Sequence, residues 1–399
     1  MEPETPDRIP PAGEPQTPKP GEVVPQPEVP PDRESRMRWI VYGPRGLRAG
    51  WSVSIFVVLS VLLMQIVGAV FVIAHAIAPN GDLTLRNAFF TELDALLSLL
   101  GVAALMARIE HRRMVDYNLA GQRRAPHFFS GLAAGFVALS VLVGALAAGG
   151  WLHFGAPALS GAAILGYALL WGCFFLMAGC VEEGSFRCYL QYTLTRGINF
   201  WWALGLVALL CIDLLLQAGM KIDILAFLSF GMFKTAVGGA SGVYVMALLG
   251  LVPCFILQQR AHARSAFWQA AWVTSTFFGF LHTGNGGENW IGIFAAAAIG
   301  FVFCISIRVT GSAWWAIGCH AGWDWAETYF YGTADSGLVP QGHLLTTAPA
   351  GNPLWSGGAD GPEGSLLILG ILALLILWLL VAYGRRTPAP PPAPELNAG

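Results

Sequence analysis

The sequence predicts an all-α fold, a polytopic bundle of about ten transmembrane helices with disordered Pro-rich termini. Three observations predict it. Charge is scarce: 22 Lys and Arg and 24 Asp and Glu make 12% of 399 residues, about half the roughly 25% usual in soluble domains, and much of that lies in the two tails. Hydrophobic residues make 55% of the chain, with 15 Trp and a mean hydropathy of +0.58, which cannot form the exterior of a water-soluble globule. Apolar stretches also recur along the chain, each long enough for a hydrocarbon core of ~30 Å, about 20 residues.

Residues 1–48 begin as a Pro-rich tail, with eleven of the 25 prolines in the first 36 positions among acids and without an aromatic residue. Such a segment buries too little apolar area to offset its ordering entropy. It ends in a basic stretch before the membrane, and residues 385–399 form a similar Pro-rich tail. No basic segment runs directly into an apolar one at the start, so no cleavable signal peptide is expected and the first span should target the chain. The seven cysteines all lie in apolar segments without a CxxC spacing, which argues against a disulfide framework or a Cys zinc cluster.

The spans fall near 51–76, 88–107, 129–150, 163–195, 201–219, 232–257, 265–283, 290–308, 312–331 and 365–384, the fifth and sixth interrupted by Asp213 and Lys234. With the amino terminus inside, sixteen Lys and Arg residues fall on inner segments, among them Arg48, Arg108, Arg112, Arg113, Arg196 and Arg308. Arg86 and Lys221 are the two on outer ends. That bias predicts a multi-pass cell (inner) membrane protein with both termini cytoplasmic. The expected organisation is N-terminal helices over 49–160, a second helical unit over 161–331 with a two-span insertion at about 201–257, an extracytoplasmic loop over 332–364 and a last span over 365–384.

A charge at mid-bilayer costs ~2.5–3.5 kcal/mol or more, so each one inside a span needs a partner or a task. Glu183 and Arg187, four apart in the fourth span, lie on one helix face within pairing distance. Glu182 points about 100° away from Glu183, which leaves it free to hold a water. Phe278 and His282 share a face of the seventh span; His320 and Asp324 share one in the ninth, with Glu327 continuing the stripe. Glu92 and Asp94, near the outer end of the second span, read as structural. Glu182 lies ~21 Å of helix from Arg196, and His282 and His320 ~27 Å and ~18 Å from Arg264 and Arg308, depths at which the three can meet.

EExxxR (Glu182, Glu183, Arg187), FxxxH (Phe278, His282) and HxxxD (His320, Asp324), in that order on hydrophobic segments, resemble the CAAX protease and bacteriocin-processing family of intramembrane proteases, similar to the type II CAAX prenyl endopeptidases. The resemblance covers roughly 163–330 and implies a catalytic membrane domain over 161–331. By it, Glu182 is the general base assisted by His282, His320 and Asp324 steady the oxyanion, and Glu183 and Arg187 position the first helix. Phe278 and Trp323 are candidate substrate contacts. Two departures stand out: a long gap between Arg187 and Phe278, filled by the expected insertion, and Asp324 where Asn is commoner. A carboxylate stabilises an oxyanion only when protonated, so Asp324 reads equally as an orienter of His320 or as a ligand.

The reading is an endopeptidase acting on a membrane-associated peptide or protein, with the bilayer as partner, no nucleic acid, and no cofactor required. Glu182, His282, His320 and Asp324 also suit a zinc site with an open position, although no HExxH occurs. A proton-coupled transporter and a non-catalytic peptide-binding immunity or scaffold protein remain alternatives. The 332–364 loop, with Asp335, His343, Asp360 and Glu363, reads as a lid over the cavity or as a solvated linker.

Overall fold

The computed structural model describes residues 40–43, 46–78, 84–197, 265–285, 287–335, 337 and 341–384, with isolated positions at 205, 208, 212 and 256. The two tails and the insertion spans expected near 201–219 and 232–257 therefore lie outside or almost wholly outside the described residues. Eight of the expected spans are helices. They are α1 (Ala49–Ile73), α2 (Leu85–Ile109), α3 (Arg124–Ala148), α4 (Ala162–Gly197), α5 (Ser265–Leu281), α6 (Trp290–Thr310), α7 (Trp314–Asp324) and, after the short α8 (Pro353–Ser356), α9 (Leu367–Tyr383). Five of these, α1 to α4 and α6, are long and apolar enough to cross a membrane, and α9 is a shorter apolar helix. The count of ten is thus not reached among the described residues.

The apolar exterior is what a lipid-facing surface requires. On α1, Val58, Ile66, Val70 and Ile73 are exposed, and on α9 Leu374, Leu377 and Val381 are. The interior is built on α3 and α7, whose contact is the most extensive between helices. Glycines set it. A Cβ on Gly131 or Gly135 would collide with the carbonyl of Trp315 or Cys319, and one on Gly318 or Gly322 with the carbonyl of Phe128 or Leu132. Two small-xxx-small faces therefore meet backbone to backbone, the geometry that stabilises helix pairs where lipid supplies no hydrophobic drive. Leu139, Leu142, Leu146, Trp315 and Cys319 close around that contact with Val302, Phe303 and the buried face of α9.

Two helices carry π segments. In α4 the π turns run over Gly184–Leu190, directly after Glu183, and in the α7 span over Trp325–Tyr331, directly after Asp324. Wide turns of this kind re-aim the side chains that follow and are frequent at functional sites. At the end of the bundle marked by Arg108 and Arg196, Glu110 is held by Arg196 at 3.2 Å, Arg112 at 3.7 Å, and the hydroxyls of Tyr189 and Tyr117 at 3.1 and 3.3 Å. Gln191, late in α4, donates to the carbonyl of Phe267, early in α5, so the described chain leaves α4 and enters α5 at one end of the bundle.

The described residues of the 332–364 loop pack against the bundle. Thr347–Pro349 pairs antiparallel with Leu152–Phe154, and the Trp171 indole donates to the carbonyl of Gln341. Asn289 ties the loop to the core. Its Oδ1 caps α6 by accepting from the amides of Ile291 and Gly292, its Nδ2 donates to the carbonyls of Gly357 and Gly364, and its amide donates to Asp360 Oδ2 at 3.1 Å.

Gly135→Val or Gly318→Val is expected to lower the melting temperature in detergent by an overpacking cost of about 1–3 kcal/mol or more. Gly144→Ala in α3, where a Cβ meets nothing within 4 Å, should be neutral or stabilising by up to ~1 kcal/mol. Equal effects at the two kinds of position would remove the glycine contact as the organiser of the core.

Candidate active site

Glu182 and Glu183 close the α-helical part of α4, and their neighbourhoods differ as their helical phase requires. Glu183 is fully buried, while the Glu182 side chain is 39% exposed. Glu183 Oε2 pairs with Arg187 Nε at 3.2 Å, and its Oε1 lies 3.0 Å from His320 Nδ1. The in-helix pair is the one expected from EExxxR. The second contact reaches across 137 residues of sequence and was not legible in it. Glu183 therefore positions the imidazole of α7 as well as its own helix.

Among the described residues, the Arg187 guanidinium has no hydrogen-bonded partner for its nitrogens beyond the ion pair; aromatic rings take their place. It lies 4.3 Å from the ring centre of Phe278 and 5.6 Å from those of Phe186 and Phe303, distances at which a ring quadrupole attracts a cation. Phe303 also stacks on His320, with centroids 6.0 Å apart and planes 19° from parallel.

His320 faces carboxylates from both nitrogens. Nδ1 meets Glu183, and Nε2 lies 3.2 Å from Asp324 Oδ2 and 3.8 Å from Glu182 Oε2. Asp324, one turn on from His320, stands as an acceptor for the ring. His282 sits where α5 passes into a tight turn, its Nδ1 2.9 Å from the carbonyl of Phe278 and its ring 4.8 Å from the Phe278 ring. A cavity of about 170 Å³ is lined by Glu182, His282, His320 and Asp324, with Phe278 and Trp323 in its wall. The structure thus brings the three sequence motifs to one chamber, with room for about six waters by volume.

Phe278 and Trp323, expected as substrate contacts, carry structural duties as well. Phe278 is 4% exposed and braces Arg187. The Trp323 indole donates to Glu327 Oε2 at 3.1 Å and to Glu363 Oε1 at 2.7 Å. Glu92, read from sequence as structural, lies in electrostatic reach of Glu182, His320 and Asp324. Its neighbour Asp94 accepts from Ser98 at 3.0 Å and stays structural.

Asp335 and Glu363, which the sequence placed in a loop read as a lid or a linker, line the same cavity. Burial, with Asp324 nearby, pushes the Asp335 carboxyl up to about 7, and burial raises Asp360 to about 6. The four residues suited to zinc share the cavity, but the described residues whose ligand atoms close to within 4.8 Å of one another are Glu327, Asp335 and Glu363.

Removing one partner of a buried ion pair strands the other, at about 3–5 kcal/mol. Arg187→Met is accordingly expected to lower the melting temperature sharply, and Glu183→Gln with Arg187→Met to recover part of the loss; a single variant as stable as wild type would refute the pairing. A carboxyl whose folded pKa lies above its usual value of about 3.9 stabilises the fold fully below that value. The contribution is lost as pH rises through the folded value. Wild-type stability should therefore fall as pH rises from about 4 through about 6, and Asp360→Asn should flatten that part of the profile.

A family model, type II CAAX prenyl endopeptidase Rce1-like, matches residues 252–326. The matched segment contains His282, His320 and Asp324, and Glu182, Glu183 and Arg187 precede it. No curated protein matches the chain, and no solved structure does. Over that segment the chain is similar to the type II CAAX prenyl endopeptidases.

Proposed function

We propose that the chain is an intramembrane endopeptidase in which a water activated by Glu182 attacks a peptide bond of a membrane-associated protein or peptide. The observation that carries this reading is the contrast between the two adjacent glutamates. Glu183 is spent on Arg187 and His320, while Glu182 faces the cavity beside His320 and His282. A general base has to reach a water and its substrate, and only Glu182 of the pair is open to either.

In this mechanism Glu182 takes a proton from the water as its oxygen bonds to the scissile carbonyl carbon. Negative charge develops on the carbonyl oxygen. His320, anchored by Glu183 at Nδ1, redirects its Nε2–H from Asp324 toward that oxygen, and His282 supports the water from the α5 side. Collapse of the tetrahedral intermediate breaks the C–N bond, and Glu182 returns its proton to the departing nitrogen. A preorganised donor in a low-dielectric chamber is worth more than in water, which favours placing the reaction inside the bundle. Asp324 acts as the orienter of His320 rather than as an oxyanion donor. The chemistry closes without a cofactor.

The family's name supports a peptide substrate at the membrane, and the lipid-facing helices support entry from the bilayer. The Arg-rich bundle end that holds Glu110 is assigned to the cytoplasm, with both termini on that side of the cell membrane.

Glu182→Gln is expected to reduce cleavage by about 10²–10⁴-fold with membrane insertion and melting temperature unchanged. The substrate is read by comparing membrane peptides from cells expressing wild type or this variant. Wild-type cleavage in the variant would sink the assignment. Activity should also survive 1,10-phenanthroline with no zinc by elemental analysis; stoichiometric zinc with loss of activity on chelation would convert the site to a metalloprotease.

A further inference from the structure

Above the catalytic residues, the cavity wall changes character. Glu327, Asp335 and Glu363 each offer one carboxylate oxygen, and these oxygens all lie within 4.8 Å of one another. Among the described residues, none of the three pairs with Lys, Arg or His within 4.0 Å. Their hydrogen bonds come from the Trp323 indole, shared by Glu327 and Glu363, and from the Thr328 hydroxyl, 3.0 Å from Asp335 Oδ2.

A second observation is independent of that spacing. Glu327 has no exposed surface, and its Oε1 has no hydrogen-bond partner among the described residues. A buried acceptor left unsatisfied carries its full desolvation cost, and here two further carboxylates add repulsion. One occupant relieves both at once, a cation at the centre of the three oxygens. The dimensions suit a particular class. Three points no more than 4.8 Å apart have a centre within about 2.8 Å of each, a bound that admits the ~2.3–2.6 Å of calcium–oxygen bonds; magnesium, which keeps several waters and takes one or two carboxylates, suits a three-carboxylate set less well. An all-carboxylate donor set selects hard cations over zinc or copper.

We propose that Glu327, Asp335 and Glu363 form a binding site for a hard divalent cation, Ca²⁺ in preference to Mg²⁺. The site is distinct from the zinc alternative at Glu182, His282, His320 and Asp324, and it stands whether or not the chain is a protease. It joins three points that sequence separates: the π segment that follows Asp324, the first residues of the outer loop and its last turn, Pro362–Gly364. Neighbouring contacts run the same way, with the Thr333 amide on the carbonyl of Glu327 and that of Gly337 on the carbonyl of Asp360. A bound cation would hold the loop against the helix that carries His320.

The full-length protein in detergent, stripped with EDTA and dialysed, provides the test. Tb³⁺ reports on Ca²⁺ sites by luminescence when a nearby indole is excited, and Trp323 touches two of the three carboxylates. The expected result is a saturable Tb³⁺ signal displaced by Ca²⁺ at lower concentration than by Mg²⁺. Ca²⁺ should bind with a dissociation constant of about 1 mM or tighter and raise the melting temperature, while matched NaCl does not. Asp335→Asn with Glu363→Gln should weaken binding about tenfold or more. Equilibrium dialysis of wild type with ⁴⁵Ca²⁺ decides the matter even if that variant fails to fold: no saturable binding overturns the proposal. Binding unchanged in a folded double variant overturns it equally.

Discussion

The site depends on one carboxylate with two partners. Glu183 sits at zero exposure between Arg187, on its own helix, and His320, on α7. Taking an acid and a guanidinium out of water costs several kcal/mol for each ion, and their attraction repays it only with good geometry and further contacts. The further contacts here are the Phe278, Phe186 and Phe303 rings around Arg187 and the imidazole on the second oxygen of Glu183. What the arrangement secures is position. His320 is fixed relative to α4, and therefore relative to Glu182, by a bond that does not involve Glu182.

Such a bond demands that α7 approach α4 at a set depth, and the backbone supplies that approach. Glycines on α3 and α7 let those helices touch, with the carbonyls of Trp315 and Cys319 against Gly131 and Gly135. On its α4 side, α7 has Gly179 against the carbonyl of Ile317. The helix that carries His320 is thus clamped by close backbone contact on two sides. A π segment begins directly after Glu183 and another directly after Asp324. The first widened turn carries Arg187 within it, and the second follows His320 and Asp324.

How much of this was legible follows from the range of each interaction. The helices over residues 49–197 and 265–384 read directly from apolar runs, because lipid admits little backbone other than helix. The Glu183–Arg187 pair and the shared face of His320 and Asp324 follow from helical spacing. The contact from Glu183 to His320 joins residues 137 positions apart, and spacing carries no information about it. The proximity of Glu92 to His320 and Asp324 was not legible because distance from a span end is measured along one helix, whereas these groups sit on α7. Asp335 and Glu363 were assigned to a loop correctly, but composition could not show that Asn289 and the strand pair at Leu152–Phe154 fold that loop onto the cavity. The π turns left no trace that hydrophobic periodicity could register.

The division of labour between Glu182 and Glu183 shows why chemistry here cannot be assigned by residue type. The two have the same side chain and adjacent positions, and 100° of helical rotation separates them. That rotation sends one into a box of aromatic rings with a guanidinium and an imidazole as neighbours, and the other to the edge of a solvent-sized cavity. A fully buried acid that is engaged on both oxygens is out of reach of a cavity water. An acid with one long approach, 3.8 Å to His320, keeps that capacity. Exchanging their roles would require α4 to turn by a residue, which would bury Glu182 without Arg187 one turn ahead of it and release His320 from its anchor. The ion pair therefore does more than hold a helix: by engaging Glu183 it leaves Glu182 as the glutamate of the two that faces the cavity.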